Sequence, residues 1–363
     1  MRGGRPRLIV PSGRRGVLRA ALGRGSADVS RLARLQRSAL SGAAALGAAE
    51  LLVARDGFNA GLAPAGEDPP LEDYLAGALG CAHVEVVTSV GPKRPNQKPV
   101  LQVMRRDGTT LGFAKVGWNG LTRRLVNHEA AVLRELATTS RHLIGIPEVL
   151  HLGTWRRLDI SILSPLEPQR DNPMQRRDPT GDELAELASL GATDHALFRE
   201  SAYRAQLAER VTAVASSRRA PYESAMQALD DAWGATAFTF GRLHGDWTPW
   251  NMAPLADRLL VWDWERSRSS APVLIDSVHY EFQRAWLRRK QSPGDAIETA
   301  VRFAAGYAPD LGVEATTVRA IAGMYLLELS LRYAENAAEG TSELRPERHS
   351  AIETALTDFD LSA

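Results

Sequence analysis

The strand-forming stretches of this chain are segregated from its helical ones, and that segregation limits the fold more than any other feature. Between His83 and Leu163 the apolar residues form Val-rich or alternating runs at His83–Val90, Val100–Arg106, Leu111–Val116, Pro147–Leu152 and Leu158–Leu163. Period-two patterning of this kind suits half-buried strands. Asp107-Gly108, between the second and third runs, supplies the positive φ that a tight hairpin demands. A helical pattern from Leu121 to about Ala137 separates the third run from the fourth, and a shorter helix is expected at Leu71–Leu79. Beyond Pro168 the pattern turns mostly helical. A Thr180-x-x-Glu183 capping box opens it, and helices are expected over His195–Ser216, Tyr222–Trp233, Leu274–Lys290, Pro293–Gly306, Val313–Ala337 and Pro346–Asp358. Two strand-like pieces, Phe238–Leu243 and Leu259–Trp264, interrupt the helices. Strands followed by helices predict an α+β architecture, with a small antiparallel-sheet lobe over 71–167 and a mainly helical lobe over 168–363.

Residues 1–70 stand apart. The first forty carry ten arginines against one acidic residue, Asp28, and the Pro- and Gly-rich stretch Gly61–Pro70 reads as a linker. The extension is expected to be partly helical or disordered. It is either a solvated basic arm or a surface for RNA, membrane or a partner, and the former is the simpler reading. The whole chain, at 363 residues with 44 Lys plus Arg against 43 Asp plus Glu, has a formal charge of only +1. That balance predicts no general attraction to nucleic acid or an anionic membrane. No apolar run is long enough to span a bilayer; Ala39–Ala54 is too short and contains Glu50. Arg14-Arg15 is followed by Arg19 and Arg24 where an export signal needs apolar residues. The single cysteine, Cys81, excludes an internal disulfide and a thiolate metal site, which points to the cytoplasm.

The chemistry is concentrated in His244-Gly245-Asp246-Trp247-Thr248-Pro249-Trp250-Asn251 and, a few residues on, Val261-Trp262-Asp263-Trp264-Glu265. Phosphoryl transfer needs metal ions that bridge the phosphates and a carboxylate that positions the attacking hydroxyl. Asp246 is suited to accept or orient the hydroxyl proton. Asn251 and Asp263 offer the hard oxygen ligands that Mg²⁺ prefers, and Glu265 would assist the metal, hold a loop or contact the acceptor.

His-Gly-Asp-x-x-x-x-Asn followed by Asp-Trp-Glu resembles the aminoglycoside phosphotransferase and choline kinase-like superfamily, over about Val84 to Tyr280. The resemblance implies a protein-kinase-like, two-lobed fold and an ATP- and Mg²⁺-dependent small-molecule kinase. Asp246 would be the catalytic residue and Asn251 and Asp263 the metal ligands, with His244 and Asp276 supporting the loop. A kinase-like site also wants a strand lysine on the phosphates and a helix glutamate to hold it. Lys115 ends the third strand, and Glu129 lies on the apolar stripe of the next helix with Val126, Ala130 and Leu133. The alternative pairs Glu129 with Arg123 or Arg134 on a solvated boundary. The nucleotide-covering loop Gly91–Lys98 has one glycine, so Lys93, Arg94 and Lys98 either neutralise phosphate or form a solvated hairpin tip. Phe113, two before Lys115, stands where protein kinases place a small residue. Position alone puts the adenine-reading backbone at Ser164, Leu166 and Glu167.

Only twelve residues separate Asp263 from Asp276, too few for a peptide-binding activation segment, so the expected partner is a small-molecule hydroxyl acceptor. Trp247 and Trp250 are candidate acceptor contacts, since an indole face can stack on a sugar-like acceptor or hold a cationic amino alcohol, whereas Trp262 and Trp264 should point away from Asp263 on their strand and fill the core. The basic run Arg284, Arg288, Arg289 and Lys290, with Arg266 and Arg268, outnumbers the nearby acids, so the carboxylate cluster that would favour an aminoglycoside is not seen and a neutral or anionic metabolite, such as a sugar, fits at least as well. His279 and Glu281 either line that pocket or belong to an ordinary amphipathic helix. A second class, a non-catalytic nucleotide-binding scaffold, is favoured by the missing glycines and disfavoured by the joint presence of Asp246, Asn251, Asp263 and Lys115.

Overall fold

The computed structural model describes residues 8–9, 16–18, 20, 69–89, 98–167, 177–338 and 346–361. The chain divides into two compact units, one of residues 1–93, 97–130 and 147–167 and one of residues 94–96, 131–146 and 168–363. In chain order the first contains β1 (Leu8–Ile9), α1 (Leu71–Ala78), β2 (Glu85–Ser89), β3 (Val100–Met104), β4 (Thr110–Gly117), the start of α2 (Gly120–Ala137), β5 (Val149–Trp155) and β6 (Leu158–Leu163). These strands form one antiparallel sheet in the order β1-β2-β3-β4-β6-β5.

Alternation decides which side chains the sheet buries. Leu101, Val103, Ala114, Val116, Ile160 and Ile162 face Leu75 and Ala76 of α1, closing one face. Val87 and Met104 occupy the other face and meet Val17, which is fully buried. The hairpin at Asp107-Gly108 forms as its residues require. The Asp107 carboxylate accepts the Thr109 N–H at 2.8 Å, and Gly108 takes φ of 92°. A Cβ on Gly108 would stand 2.6 Å from the Gly16 carbonyl, so this turn also needs glycine for the close approach.

The described pieces of the basic extension are therefore docked on the sheet. Leu8–Ile9 pairs with Thr88–Ser89 as an edge strand, where helix or disorder was expected. Two residues carry no periodicity, and an edge pairing is set by the partner strand. Ala39–Ala54, Arg14-Arg15 and the loop with Lys93 and Arg94 lie outside the described residues.

The second unit contains a short strand at Ile144–Gly145, then α3 (Gly181–Ser189), β7 (Asp194–Leu197), α4 (Ala202–Ala213), α5 (Ala220–Trp233), β8 (Ala237–Leu243), β9 (Met252–Pro254), β10 (Leu259–Val261), β11 (Arg268–Pro272), α6 (Ile275–Gln283), α7 (Pro293–Ala305), α8 (Val318–Asn336) and α9 (Pro346–Asp358). The Thr180/Glu183 capping box caps α3 reciprocally, at 3.2 and 2.8 Å. All nine residues of α6 are buried, and so is the continuous stretch Ala320–Leu331 of α8. Both helices run through the core of Tyr203, Leu229, Phe240, Phe282 and Leu326.

Three expected elements differ. The helix placed at His195–Ser216 begins only at Ala202, capped by Ser201; Asp194–Leu197 instead pairs antiparallel with Ala237–Phe240 of β8. The strand placed at Leu259–Trp264 ends at Val261, because Asp263 adopts a left-handed backbone with φ of 73°. The helix placed at Leu274–Lys290 is α-helical to Gln283 and continues as a π-helical turn over Arg284–Arg288. No helix among the described residues is long and apolar enough to cross a membrane.

Candidate active site

The loop that follows β8 is held at its base by one carboxylate. Asp276, in the first turn of α6, accepts the His244 N–H at 2.6 Å and the Gly245 N–H at 3.1 Å. Gly245 has φ of 79°, and a Cβ there would lie 2.5 Å from the Arg266 carbonyl oxygen. Burial pushes the Asp276 carboxyl up to about 6, against the pull of the two N–H groups.

His244 is the loop's internal brace. Its Nδ1 accepts the Asp246 N–H at 3.2 Å and its Nε2 donates to the Trp262 carbonyl at 3.2 Å, which fixes a neutral tautomer. The ring sits edge-on to Trp264 and Trp247, with centroids 4.8 and 5.8 Å away. Burial lowers its pKa to about 4, so it is uncharged at neutral pH. The Asn251 carbonyl accepts the Trp262 N–H at 3.0 Å, which ties the loop to the segment bearing Asp263.

Asp246 emerges from this frame with its side chain 35% exposed. Oδ2 accepts from Asn251 Nδ2 at 2.8 Å, and Oδ1 lies 3.2 Å from His279 Nε2. Burial alone would raise the carboxyl. The hydrogen bond from His279 and the charge of Arg332 offset that and hold it well below the usual carboxylate range. His279 Nδ1 in turn faces the Tyr325 hydroxyl at 3.1 Å.

The donor set fits a hard divalent cation. Asn251 Nδ2 is engaged by both the main-chain and side-chain oxygens of Asp246, which leaves Oδ1 as the ligand atom of that amide. Carboxylate oxygens of Asp263 and Glu265 lie within 4.8 Å of one another. The left-handed backbone at Asp263 costs about 1–2 kcal/mol, a cost that clusters at functional positions.

In the sheet unit, Lys115 and Glu129 form the expected pair: Nζ donates to Oε1 at 2.7 Å, with the side chains 10% and 0% exposed. Lys115 pairs in register with Val100, so half-buried Lys98 lies at the same end of the sheet. The Ser164 N–H is donated to the Glu148 carbonyl at 2.8 Å, and its hydroxyl accepts the Glu148 N–H. That donor is therefore engaged, and Leu166 and Glu167 follow it at the end of β6.

Two expected acceptor contacts need correction. Trp247 is fully buried against His244, because the loop folds it inward, and offers no face to an acceptor. Glu265 is only 4% exposed, which restricts it to the metal side or the core. Trp250 is half-buried with the Arg288 guanidinium over its ring at 5.3 Å, so one face is already covered by a cation. His279 was the residue that sequence reading placed least well. It lies on a helix whose nine residues are all buried, and it touches Asp246 directly.

No protein-family profile matches the chain, and no curated protein sequence is significantly similar to it. Among solved structures it is similar to the aminoglycoside phosphotransferase APH(4)-Ia, at 16% identity and TM-score 0.50 over 78% of this chain and 98% of that one. A thermostable mutant of that enzyme in ternary complex with AMP-PNP and hygromycin B gives 17% identity and TM-score 0.50 over the same shares. A putative fructosamine-3-kinase from Haemophilus somnus 129PT matches at 12% identity and TM-score 0.45, over 80% of this chain and 96% of that one. The chain thus has the fold of the aminoglycoside phosphotransferases, a protein-kinase-like fold.

Proposed function

We propose that the protein is an ATP- and Mg²⁺-dependent phosphotransferase that moves the γ-phosphoryl group to a hydroxyl of a small molecule. One observation carries the reading: a half-exposed, ionised Asp246 held between Asn251 and His279 on a loop tied to the segment of Asp263. The fold supports it, and a neighbour of that fold forms a ternary complex with AMP-PNP and hygromycin B.

Asn251 Oδ1 and the Asp263 carboxylate would hold Mg²⁺, with Glu265 beside them; Lys115, steadied by Glu129, would meet phosphate oxygens, with Lys98 nearby in the sheet. Leu166 and Glu167 would read the adenine edge through their backbone. When bound, the metal neutralises charge that builds on the transferring group. Asp246 would orient the acceptor hydroxyl and take its proton as the new bond to the γ-phosphorus forms and the bond to the β–γ bridging oxygen breaks, with ADP as the leaving group. A carboxylate held so far below neutral is a weak base, so orientation is its larger contribution. His279 keeps Oδ1 in place, and Asp276, through His244 and Gly245, keeps the whole loop in place.

The test is titration of the purified protein with MgATP. Asp263→Ala should abolish Mg²⁺-dependent nucleotide binding while the fold survives. An unchanged MgATP isotherm would remove Asp263 from the metal site.

A further inference from the structure

One face of α6 carries the catalytic loop. Asp276, His279 and Gln283 are three and four residues apart in turn, so on a helix their side chains share that face. Asp276 holds the backbone of the loop through the His244 and Gly245 N–H groups. His279 holds its working side chain, with Nε2 3.2 Å from Asp246 Oδ1. Behind His279 stands Tyr325 of α8, packed edge-on against the imidazole with ring centroids 5.5 Å apart. Both side chains are buried, and Phe282 closes the far side of the phenol at 5.4 Å.

The donors present fix the sense of each hydrogen bond. Among the described residues the Tyr325 hydroxyl has two partners, His279 Nδ1 at 3.1 Å and Gln283 Nε2 at 3.5 Å. The second is an amide NH₂, which only donates. The phenol proton is therefore left with one acceptor, Nδ1. Burial pushes the Tyr325 pKa up, which keeps that proton in place. A ring that accepts at Nδ1 carries its own hydrogen on Nε2, and Nε2 faces a carboxylate, which only accepts when ionised. Every link thus donates toward the loop, Gln283 to Tyr325, Tyr325 to His279 and His279 to Asp246. The charged groups that line the opening beside the ring are bonded elsewhere: Asp276 to the loop N–H groups, Glu328 to Arg268 and the Tyr203 hydroxyl, with Arg332 3.7 Å from its other oxygen.

We infer that Tyr325, backed by Gln283, is a positioning residue for phosphoryl transfer: its hydroxyl holds His279 as a neutral Nε2–H donor, and that N–H aims the Asp246 carboxylate at the acceptor hydroxyl. This rests on the phosphotransferase reading above. Neutrality is what the site gains. An imidazolium at the same distance would pair with Asp246 as an ion and draw off the charge that the acceptor hydroxyl needs, whereas a neutral N–H holds the carboxylate and leaves its charge available. A protonated Nδ1 would also leave the buried phenol proton with no acceptor, a cost that keeps the ring in its donor-only state toward the loop.

The test joins nitrogen NMR of the labelled histidines with kinetics, both on the full chain. Near neutral pH the His279 ring, assigned by its loss in His279→Gln, should show a protonated Nε2 and a bare Nδ1, and the Nδ1 signal should move in Tyr325→Phe as it loses its donor. An imidazolium, or a hydrogen on Nδ1 alone, in the wild type overturns the inference. Rates are read as ADP release from MgATP with glycerol, glucose, glucosamine and choline as acceptor probes. Tyr325→Phe should lower kcat about tenfold with the best probe, the equivalent of one hydrogen bond, while MgATP affinity stays within about twofold. His279→Gln keeps an N–H donor and has no ring nitrogen for Tyr325 to satisfy. It should retain more activity than His279→Leu, and adding Tyr325→Phe to it should cost no more than about twofold further. A Tyr325→Phe loss of the same size in both backgrounds means packing alone, and overturns the inference while leaving phosphotransfer standing. No ADP release by the wild type with any probe overturns the phosphotransferase reading and the catalytic half of the inference with it; the NMR result, read without turnover, still decides the hydrogen-bond chain.

Discussion

Replacing Asp276 by Asn separates the stability of the catalytic loop from its function. The carboxyl is 5% exposed and pushed up to about 6 by burial, from an unfolded value near 3.8. A carboxyl raised on folding stabilises the native state fully below its unfolded pKa, and that contribution is lost as pH rises through the folded pKa. The 2.2-unit difference between those values corresponds to about 3 kcal/mol. Wild-type protein should therefore gain about 2–3 kcal/mol from this group between pH 7.5 and pH 4, and Asp276→Asn should not.

His244 acts in the opposite sense over the same range. Its pKa falls from 6.5 to about 4, so its contribution is present above pH 6.5 and is lost as pH drops toward 4, again about 3 kcal/mol. The two nearly cancel in the wild type, and Asn at 276 exposes the histidine. Urea unfolding from pH 4 to 7.5 reads the effect directly. The stability difference between variant and wild type should move by about 2–3 kcal/mol against the variant as pH falls. At pH 7.5 the variant should be close to wild type, because relief from a buried charge offsets one poorly matched N–H worth about 1–3 kcal/mol. Its turnover should still fall, since the amide NH₂ opposes one of the two loop N–H groups. A stability difference that does not change with pH would refute the argument.

Two further outcomes follow from the geometry. Lys115→Met removes the ammonium that the fully buried Glu129 carboxylate accepts from, so it should cost about 3–5 kcal/mol in thermal or urea unfolding, while Lys115→Met with Glu129→Leu should recover much of that stability but no nucleotide-dependent activity. Gly245→Ala forces φ of 79° on an alanine whose Cβ meets the Arg266 carbonyl at 2.5 Å; a loss of at least about 2 kcal/mol and of turnover is expected, and wild-type kinetics in that variant would refute the tight loop.

The parts of the site that were legible are those in which local chemistry fixes the role. Asp246 and Asn251 were singled out by what phosphates and Mg²⁺ demand, and they meet in a 2.8 Å hydrogen bond; Glu129 was singled out by an apolar helix stripe that cannot bury a carboxylate alone, and it meets Lys115. The β2 to β6 strands were legible because valine alternation and Asp107-Gly108 act within a few residues. Contacts across long sequence separations were not. His279 reaches Asp246 only because α6 passes through the core, and the pattern of one helix does not say which residue over thirty positions away it will meet. Trp247 looked available because aromatic residues in a polar loop do; the His244 brace turns it inward. β7 was read as helix because its four residues gain their conformation from β8, over forty positions away. The alternation expected across Trp262, Asp263 and Trp264 fails at a left-handed residue that no propensity announces.

The central claim, that Asp246 orients a hydroxyl for phosphoryl transfer, is tested most directly by single-turnover phosphorus NMR on intact protein with MgATP and its best acceptor, wild type against Asp246→Asn. The account predicts a phosphate ester in the wild type and a rate lower by about 10²–10⁴ in the variant, with MgATP still bound. Equal rates of ester formation in the two proteins would contradict it.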